Sequence, residues 1–211
     1  MPPHPSAGAD LPPRSFERID DGDDSLFYAP SRLVSHIDER AVAALSAFYS
    51  DLLEPDDVAL DLMSSWVSHL PSAPQLGDVV GHGMNAEELA ANPRLTRWWV
   101  QDLNRDVRLP LDDGGFDVAL CCVGVQYLRR PFEVFAEVRR VLRPGAPFAV
   151  SFSNRCFPTK AVAVWRALDD RGHAGLVRLY MERSGFSDVE ARVLADGASS
   201  DPLIAVVGRA C

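Results

Sequence analysis

The sequence predicts a doubly wound α/β domain, a mostly parallel seven-stranded sheet with helices on both faces. Three observations carry this. Short apolar runs alternate with amphipathic stretches between residues 58 and 152. The first run, VALDLM at 58–63, is apolar except for Asp61, as a strand covered on both faces requires. Two more strand-like runs lie close together near the end of the chain, which adds an antiparallel edge to the sheet.

The elements follow in order. Residues 1–24 are rich in Pro, Asp and Gly and poor in apolar residues, so they form a disordered or loosely docked arm, with one domain over 25–211. Val42, Leu45, Phe48, Tyr49 and Leu52 recur at helical spacing. After the strand at 58–63, a helix starts over 64–70 and is stopped by Pro71 and Pro74. A strand at 78–81, a helix at Ala86–Ala91 ended by Pro93, and strands at 98–101 and 116–125 come next. The helix at 131–142 carries the stripe Phe132, Phe135, Val138, Leu142 and leads into the strand Pro147–Phe152. Helices at 159–171 and 173–184 are separated by Gly172, and Gly185 supplies the left-handed stop of the second. Strands at 189–194 and 203–207 complete the seven.

Composition narrows the class. A chain of 211 residues holds one domain with a full core. The net charge of −9 argues against a nucleic-acid backbone as partner and reads as solubility. No apolar run approaches the ~20 residues of a membrane span. The opening MPPHPSAGADLPPRSF lacks the basic-then-apolar order of a secretion signal. Cys121, Cys122, Cys156 and Cys211 have the spacing of neither a disulfide framework nor a zinc site, which points to a reducing cytoplasm and no metal. Cys121 and Cys122 read as buried thiols, whereas Cys156, beside Arg155, is the cysteine whose reactivity merits a test.

In open α/β sheets ligands bind over the carboxyl ends of the strands, where strand order reverses. Ser64 and Ser65 follow the first strand and either cap a helix or offer hydroxyls to an anion. Trp66 and His69 lie three apart, on one face of that helix, and histidine is suited to proton transfer near neutral pH. Gln126 and Tyr127 follow the fourth strand, one able to make two oriented hydrogen bonds, the other to stack or donate or simply to pack. Asn154, Arg155 and Lys160 follow the fifth and suit an anionic group, or else form a solvated loop. Tyr28, Arg32 and His36 precede the first long helix; Arg32 and His36, four apart, share a face if a short helix forms there, whether as a lid or docked on the sheet edge.

FDVALCCVGVQYL, an amphipathic helix and then Leu142-Arg143-Pro144-Gly145 resemble the second half of the class I S-adenosylmethionine-dependent methyltransferase domain, of the methyltransferase type 11-like kind. The resemblance spans 52–209. The family's first strand leads into Asp-Leu-Gly-x-Gly-x-Gly; here Asp61 leads into Met63, Ser65 and Val67 at the glycine positions. DLMSSWVSHLP and SFSNRCFPTKAV resemble an atypical subgroup without the Gly-rich motif.

The resemblance implies S-adenosylmethionine as cofactor, near Asp61, Met63, Ser64, Ser65, Met84, Asn85, Asp102, Leu103 and Val123. Asp102 would receive the adenine amino group, with the Leu103 N–H beside the ring. The position of the acid that holds the ribose falls on Gly83, with Asn85 or Glu87 as substitutes and Met84 against the adenine. The implied activity is methyl transfer to a small molecule, with Tyr28, Arg32, Gln126, Asn154 and Arg155 toward the substrate and His36, His69 and Tyr127 as candidate proton acceptors. The alternative is a methyltransferase-like scaffold without methyl transfer, binding another ligand or a protein. A hydrolase using His69 or Cys156 ranks third, since no Gly-x-Ser-x-Gly elbow is present.

Overall fold

A computed structural model describes residues 11–211. Six helices, α1 (Asp24–Phe27), α2 (Glu39–Leu52), α3 (Ala86–Ala91), α4 (Pro131–Val141), α5 (Ala163–Arg166) and α6 (Asp170–Arg183), surround one sheet. Its strands are β1 (Ala59–Leu62), β2 (Val79–Gly83), β3 (Arg97–Val100), β4 (Val118–Cys122), β5 (Pro147–Phe152), β6 (Phe186–Ala195) and β7 (Leu203–Ala210). They are ordered β3-β2-β1-β4-β5-β7-β6. β1 to β5 pair in parallel, and β7 runs antiparallel to both β5 and β6. Strand order reverses between β1 and β4, so the crevice for a ligand opens above their carboxyl ends.

Alternation along the strands divides the core. Leu60, Leu62, Ala119, Cys121, Phe148 and Val150 face α4 and α6, packing with Phe135, Val138, Leu176 and Tyr180. Ala59, Val118, Leu120 and Ala149 face the other way and meet Ala41, Leu45, Phe48 and Tyr49 of α2. Each large side chain buried in this way contributes about 1.5–3 kcal/mol. Local signals set the helix ends: Asp38 and Asp169 accept the Ala41 and Gly172 N–H groups at the starts of α2 and α6, and Pro131 opens α4.

Two expected helices differ. Residues 64–70 form no helix, and the β1–β2 crossover runs from Met63 to Asp78 as irregular chain. Two prolines leave too few residues to propagate a helix there. The serines are drawn elsewhere: Ser64 Oγ donates to Asp61 and Ser65 Oγ to Glu88, at 2.6 and 2.5 Å. Trp66 and His69 therefore share no helical face. The helix expected over 159–171 shrinks to α5, because Asp169 captures the Gly172 N–H and starts α6 early, which places Gly172 inside α6. Residues 28–38 also stay non-helical, so Arg32 and His36 are brought together by a loop.

The first ten residues of the N-terminal arm lie outside the described residues. The rest of it is held closely. Ala163 and Val164 N–H groups donate to the Glu17 and Ser15 carbonyls, and Arg18, Asp24 and Lys160 meet in a buried ionic cluster. Among the described residues no helix is long and apolar enough to cross a membrane.

Candidate active site

A cavity of about 250 Å³ opens at the reversal of strand order. Its floor is Asp61 at the end of β1, with Met63, Ser64 and Ser65 beyond it. One flank is Gly83, Met84 and Asn85 after β2 and Asp102 and Leu103 after β3; the other is Val123, Gly124 and Tyr127 after β4. Tyr28, Arg32 and His36 form the rim on one side, and Trp66 and His69 join them from the β1 loop, with Arg155 and Phe157 after β5.

A loop that lacks glycines can pass here because its neighbours supply them. A Cβ on Gly83 would collide with the Ser64 carbonyl and lie 3.1 Å from Leu89; a Cβ on Gly124 would lie 2.9 Å from the Met63 Cβ. The smallness needed at this crossing has moved from the loop to the ends of β2 and β4. The remaining strain is borne by Met63, His69 and Val123, with φ of 57°, 53° and 46°. Positive φ in a β-branched residue is unusual, and such strain concentrates at functional sites. Gly83→Ala is expected to cost about 1–3 kcal/mol through overpacking, read as a lowered urea midpoint; an unchanged midpoint would mean that the loop gives way freely.

His82 holds the loop in place. Its ring accepts the Met63 N–H on Nδ1 at 3.1 Å and meets the Gln101 carbonyl through Nε2 at 3.0 Å, which fixes the tautomer with the proton on Nε2. Burial pushes its pKa down to about 4, so the ring is neutral at pH 7. The imidazole thus ties the exit of β1 to the exit of β3. Side chains just after α3 complete the support. Asn92 donates to the Ser65 carbonyl and Ser68 hydroxyl at 2.9 and 2.8 Å, and Arg94 donates to the Leu70 and Pro71 carbonyls.

The two strand-end aspartates differ. Asp61 is buried, and desolvation raises its pKa to about 6 despite the hydrogen bond from Ser64. Asp102 is also raised by burial; its Oδ1 accepts the Asn104 N–H at 2.8 Å. Asp61 at the end of β1 and Asp102 past the end of β3, two strands away, both line the hollow.

Several candidates have other work. Asn85 caps α3 through Glu87 and Glu88 N–H groups and donates to the Tyr28 and Ala29 carbonyls, which fills its side-chain bonding and fastens the rim segment. Glu88 receives both the Arg32 N–H and the Ser65 hydroxyl, at 2.7 and 2.5 Å. Gln126 is fully buried, donating to the Val123 carbonyl at 2.8 Å, and Asn154 is exposed; neither lines the cavity. Arg155 is paired with Asp201 at 2.8 Å, and Lys160 with Asp20 and Asp24 at 3.0 and 3.1 Å, so the anion site read after β5 is already neutralised. Cys156 lines the cavity, but burial raises its pKa and Arg155 turns to Asp201, which removes the reason to expect a reactive thiol.

Tyr127 accepts the Phe157 N–H at 2.9 Å and stacks on Phe157 with ring centres 6.0 Å apart. Burial pushes its pKa up to about 12, so the phenol stays protonated. His36 and His69 are both lowered by burial; His69 is lowered further by His36, while for His36 Glu88 opposes the shift and Arg32 adds to it. Glu88, Phe157, His82 and the paired Gly83 and Gly124 are the site residues that sequence reasoning missed. The isolated histidine in the apolar run VVGHG was the available signal.

Residues 66–150 match the methyltransferase domain family. No curated protein sequence matches the chain. Among solved structures, a chain from the complex between the Haloferax volcanii Trm112 methyltransferase activator and a methyltransferase is similar at TM-score 0.63 and 16% identity, with 82% of this chain and 90% of that one covered. An S-adenosylmethionine-dependent methyltransferase from Aquifex aeolicus gives 0.58 and 17%, covering 81% and 89%. Haemonchus contortus phosphoethanolamine N-methyltransferase 2, solved with phosphomonomethylethanolamine and S-adenosylhomocysteine, gives 0.55 and 12%, covering 81% and 52%. The matched segment and the strand order agree with the resemblance read from LRPG and the fourth strand: residues 66–150 are similar to the methyltransferase domain family, and the chain shares the fold of these S-adenosylmethionine-dependent methyltransferases.

Proposed function

We propose that the protein transfers the methyl group of S-adenosylmethionine to a small-molecule acceptor. The observation that carries this is the pair Asp61 and Asp102 flanking a cavity at the reversal of strand order. The lining suits the cofactor's chemistry. Its ammonium, ribose hydroxyls and adenine amino group are all donors, and two carboxylates wait at the strand ends. The second Asp102 oxygen has no hydrogen bond to the described residues, and Leu103 and Met84 offer apolar surface beside it. When bound, the cofactor supplies an electrophilic methyl on a sulfonium.

In this reading Asp61 and Asp102 orient the ligand, and the loop from Met63 to Ser65, pinned by His82, passes over it. The protein's contribution is then alignment and exclusion of water. The rim segment supports exclusion. Trp66 Nε1 donates to the Val34 carbonyl at 3.0 Å, and Glu88 joins Arg32 to Ser65, so loop and rim close together over the hollow. The indole bond also speaks against a scaffold emptied of ligand, because it draws Trp66 toward the rim. We further infer a subgroup in which the glycines of the first loop are replaced by Gly83 and Gly124, and a cytoplasmic setting for the four unpaired cysteines.

Titration calorimetry with S-adenosylmethionine and S-adenosylhomocysteine tests the reading. Both are expected to bind in the micromolar range, and Asp102→Ala is expected to weaken each at least tenfold, the loss of about 1.5–3 kcal/mol for a hydrogen bond to a charged group. Absence of heat at millimolar ligand would reject it.

A further inference from the structure

Resting on the methyl-transfer reading, we propose that the acceptor is an aromatic hydroxyl compound, a phenol, seated between the aromatic side chains of the rim and deprotonated by the His36–His69 pair.

The walls define the shape. Tyr28, Trp66, Tyr127 and Phe157 all line the cavity. Phe157 is the centre of this wall, with Tyr127 stacked at 29°, and Phe27 and His36 meeting it edge-on at 5.3 and 6.1 Å. Aromatic side chains in such a setting favour a flat ring.

The polar groups define the chemistry. His36 and His69 reach the cavity from two different loops, and neither ring has a hydrogen bond among the described residues. Each therefore keeps a lone pair for a ligand. Burial holds both rings neutral at pH 7; His36 is further influenced by Glu88 and Arg32, and His69 by His36. A carboxylate acceptor carries no proton to remove, which would leave this pair idle. An ammonium acceptor would meet the Arg32 guanidinium, which among the described residues hydrogen-bonds only carbonyls, those of Phe27 and Pro30 at 2.8 and 3.3 Å, and lies 5.4 Å from the Phe157 ring. That guanidinium, without a side-chain ion pair among the described residues, favours negative charge developing on an oxygen. A phenol satisfies all three conditions: a flat ring, a removable proton and an anion in the making.

The step balances. The phenolic proton passes to an imidazole nitrogen. The oxygen lone pair forms the new O–CH3 bond as the C–S bond breaks, its electron pair remaining on sulfur. The products are an aryl methyl ether, S-adenosylhomocysteine and an imidazolium that returns its proton to water.

The test uses the full chain, S-adenosylmethionine and a panel of phenol, catechol, 1-naphthol and 4-nitrophenol, with benzoate and benzylamine as contrasts; S-adenosylhomocysteine and methylated product are followed by mass spectrometry. The expected result is turnover of phenols alone. His36→Gln/His69→Gln should lower kcat/KM for phenol on the order of 100-fold or more. The same variant should lose far less with 4-nitrophenol, which ionises unaided, and should keep its calorimetric affinity for S-adenosylhomocysteine. An equal loss with both phenols would overturn the role of the histidines. Cofactor binding without turnover of any phenol, or turnover of benzoate or benzylamine instead, would overturn the acceptor class and leave methyl transfer standing. Failure to bind cofactor at all would remove the reading beneath both.

Discussion

Asp24→Ala is expected to destabilise the protein by roughly 3–5 kcal/mol, the usual result of breaking a buried ion pair by removing one partner. The side chains of Arg18, Asp24 and Lys160 are only 3%, 4% and 1% exposed. Asp24 accepts from Arg18 at 2.7 and 3.0 Å, from Lys160 at 3.1 Å and from Asn104 at 3.2 Å. Burial alone would raise its pKa, but Arg18, Lys160 and Asn104 together hold it below the ordinary value. Without it Lys160 keeps Asp20 and the Gly22 carbonyl, whereas Arg18 keeps no ion pair among the described residues. For a domain of this size the loss corresponds to a fall in Tm on the order of 10 °C. The effect reaches the site as well. Asn104 hangs between Asp24 and the Tyr127 carbonyl and lends its backbone N–H to Asp102, so cofactor affinity should fall with stability. Urea unfolding and calorimetry measure both. A loss below 1 kcal/mol would mean that the arm lifts away in solution and its charges are hydrated.

That cluster also marks the limit of what the sequence tells. Composition assigned residues 1–24 to a loose arm, because few apolar side chains lie there. What fastens the described part is a set of contacts with distant residues: Glu17 and Ser15 carbonyls to Ala163 and Val164, and Asp24 to Lys160, more than a hundred residues away. Long-range ionic pairing leaves no periodic trace. The central strands were legible because burial on both faces writes continuous apolar runs, as at β5, where the expected and observed bounds coincide. The short helix α3 was legible with Pro93 after it, whereas Asn85, read as a ribose contact, is its cap. The crossover after β1 was misread as a helix, since serine and proline there answer to Glu88, Asn92 and Arg94 from another element. The glycine question shows the same lesson in the site itself. Reading the loop alone, Met63, Ser65 and Val67 suggest a blocked turn; only the parallel register beside β2 and β4 reveals that Gly83 and Gly124 give it room.

Asp61→Asn should change how stability depends on pH, and the sign follows from two buried groups that oppose each other. Asp61 has a folded pKa of about 6 against an ordinary value of 3.8. Between these values the unfolded chain has lost a proton that the folded state keeps, so this group's contribution is fully present below 3.8 and is lost as pH rises through 6. His82 has a folded pKa of about 4 against 6.5. Here the unfolded chain gains a proton that the folded state refuses, so its contribution is present above 6.5 and is lost as pH falls through 4. At 1.36 kcal/mol per unit each amounts to about 3 kcal/mol, and across pH 4–6 the two slopes nearly cancel. Asparagine removes the first. Denaturant unfolding of the variant should therefore show stability climbing by about 3 kcal/mol from pH 4 to 6.5, and a variant more stable than the parent at pH 7 by a similar amount. The same substitution should weaken S-adenosylmethionine, because the carboxylate is kept in the cavity against its own desolvation for a cationic ligand to meet. In the parent, affinity should accordingly fall as pH drops below about 6. Parallel pH profiles for parent and variant would show that Asp61 ionises freely in the folded state, and the electrostatic argument for its place in the site would go with it.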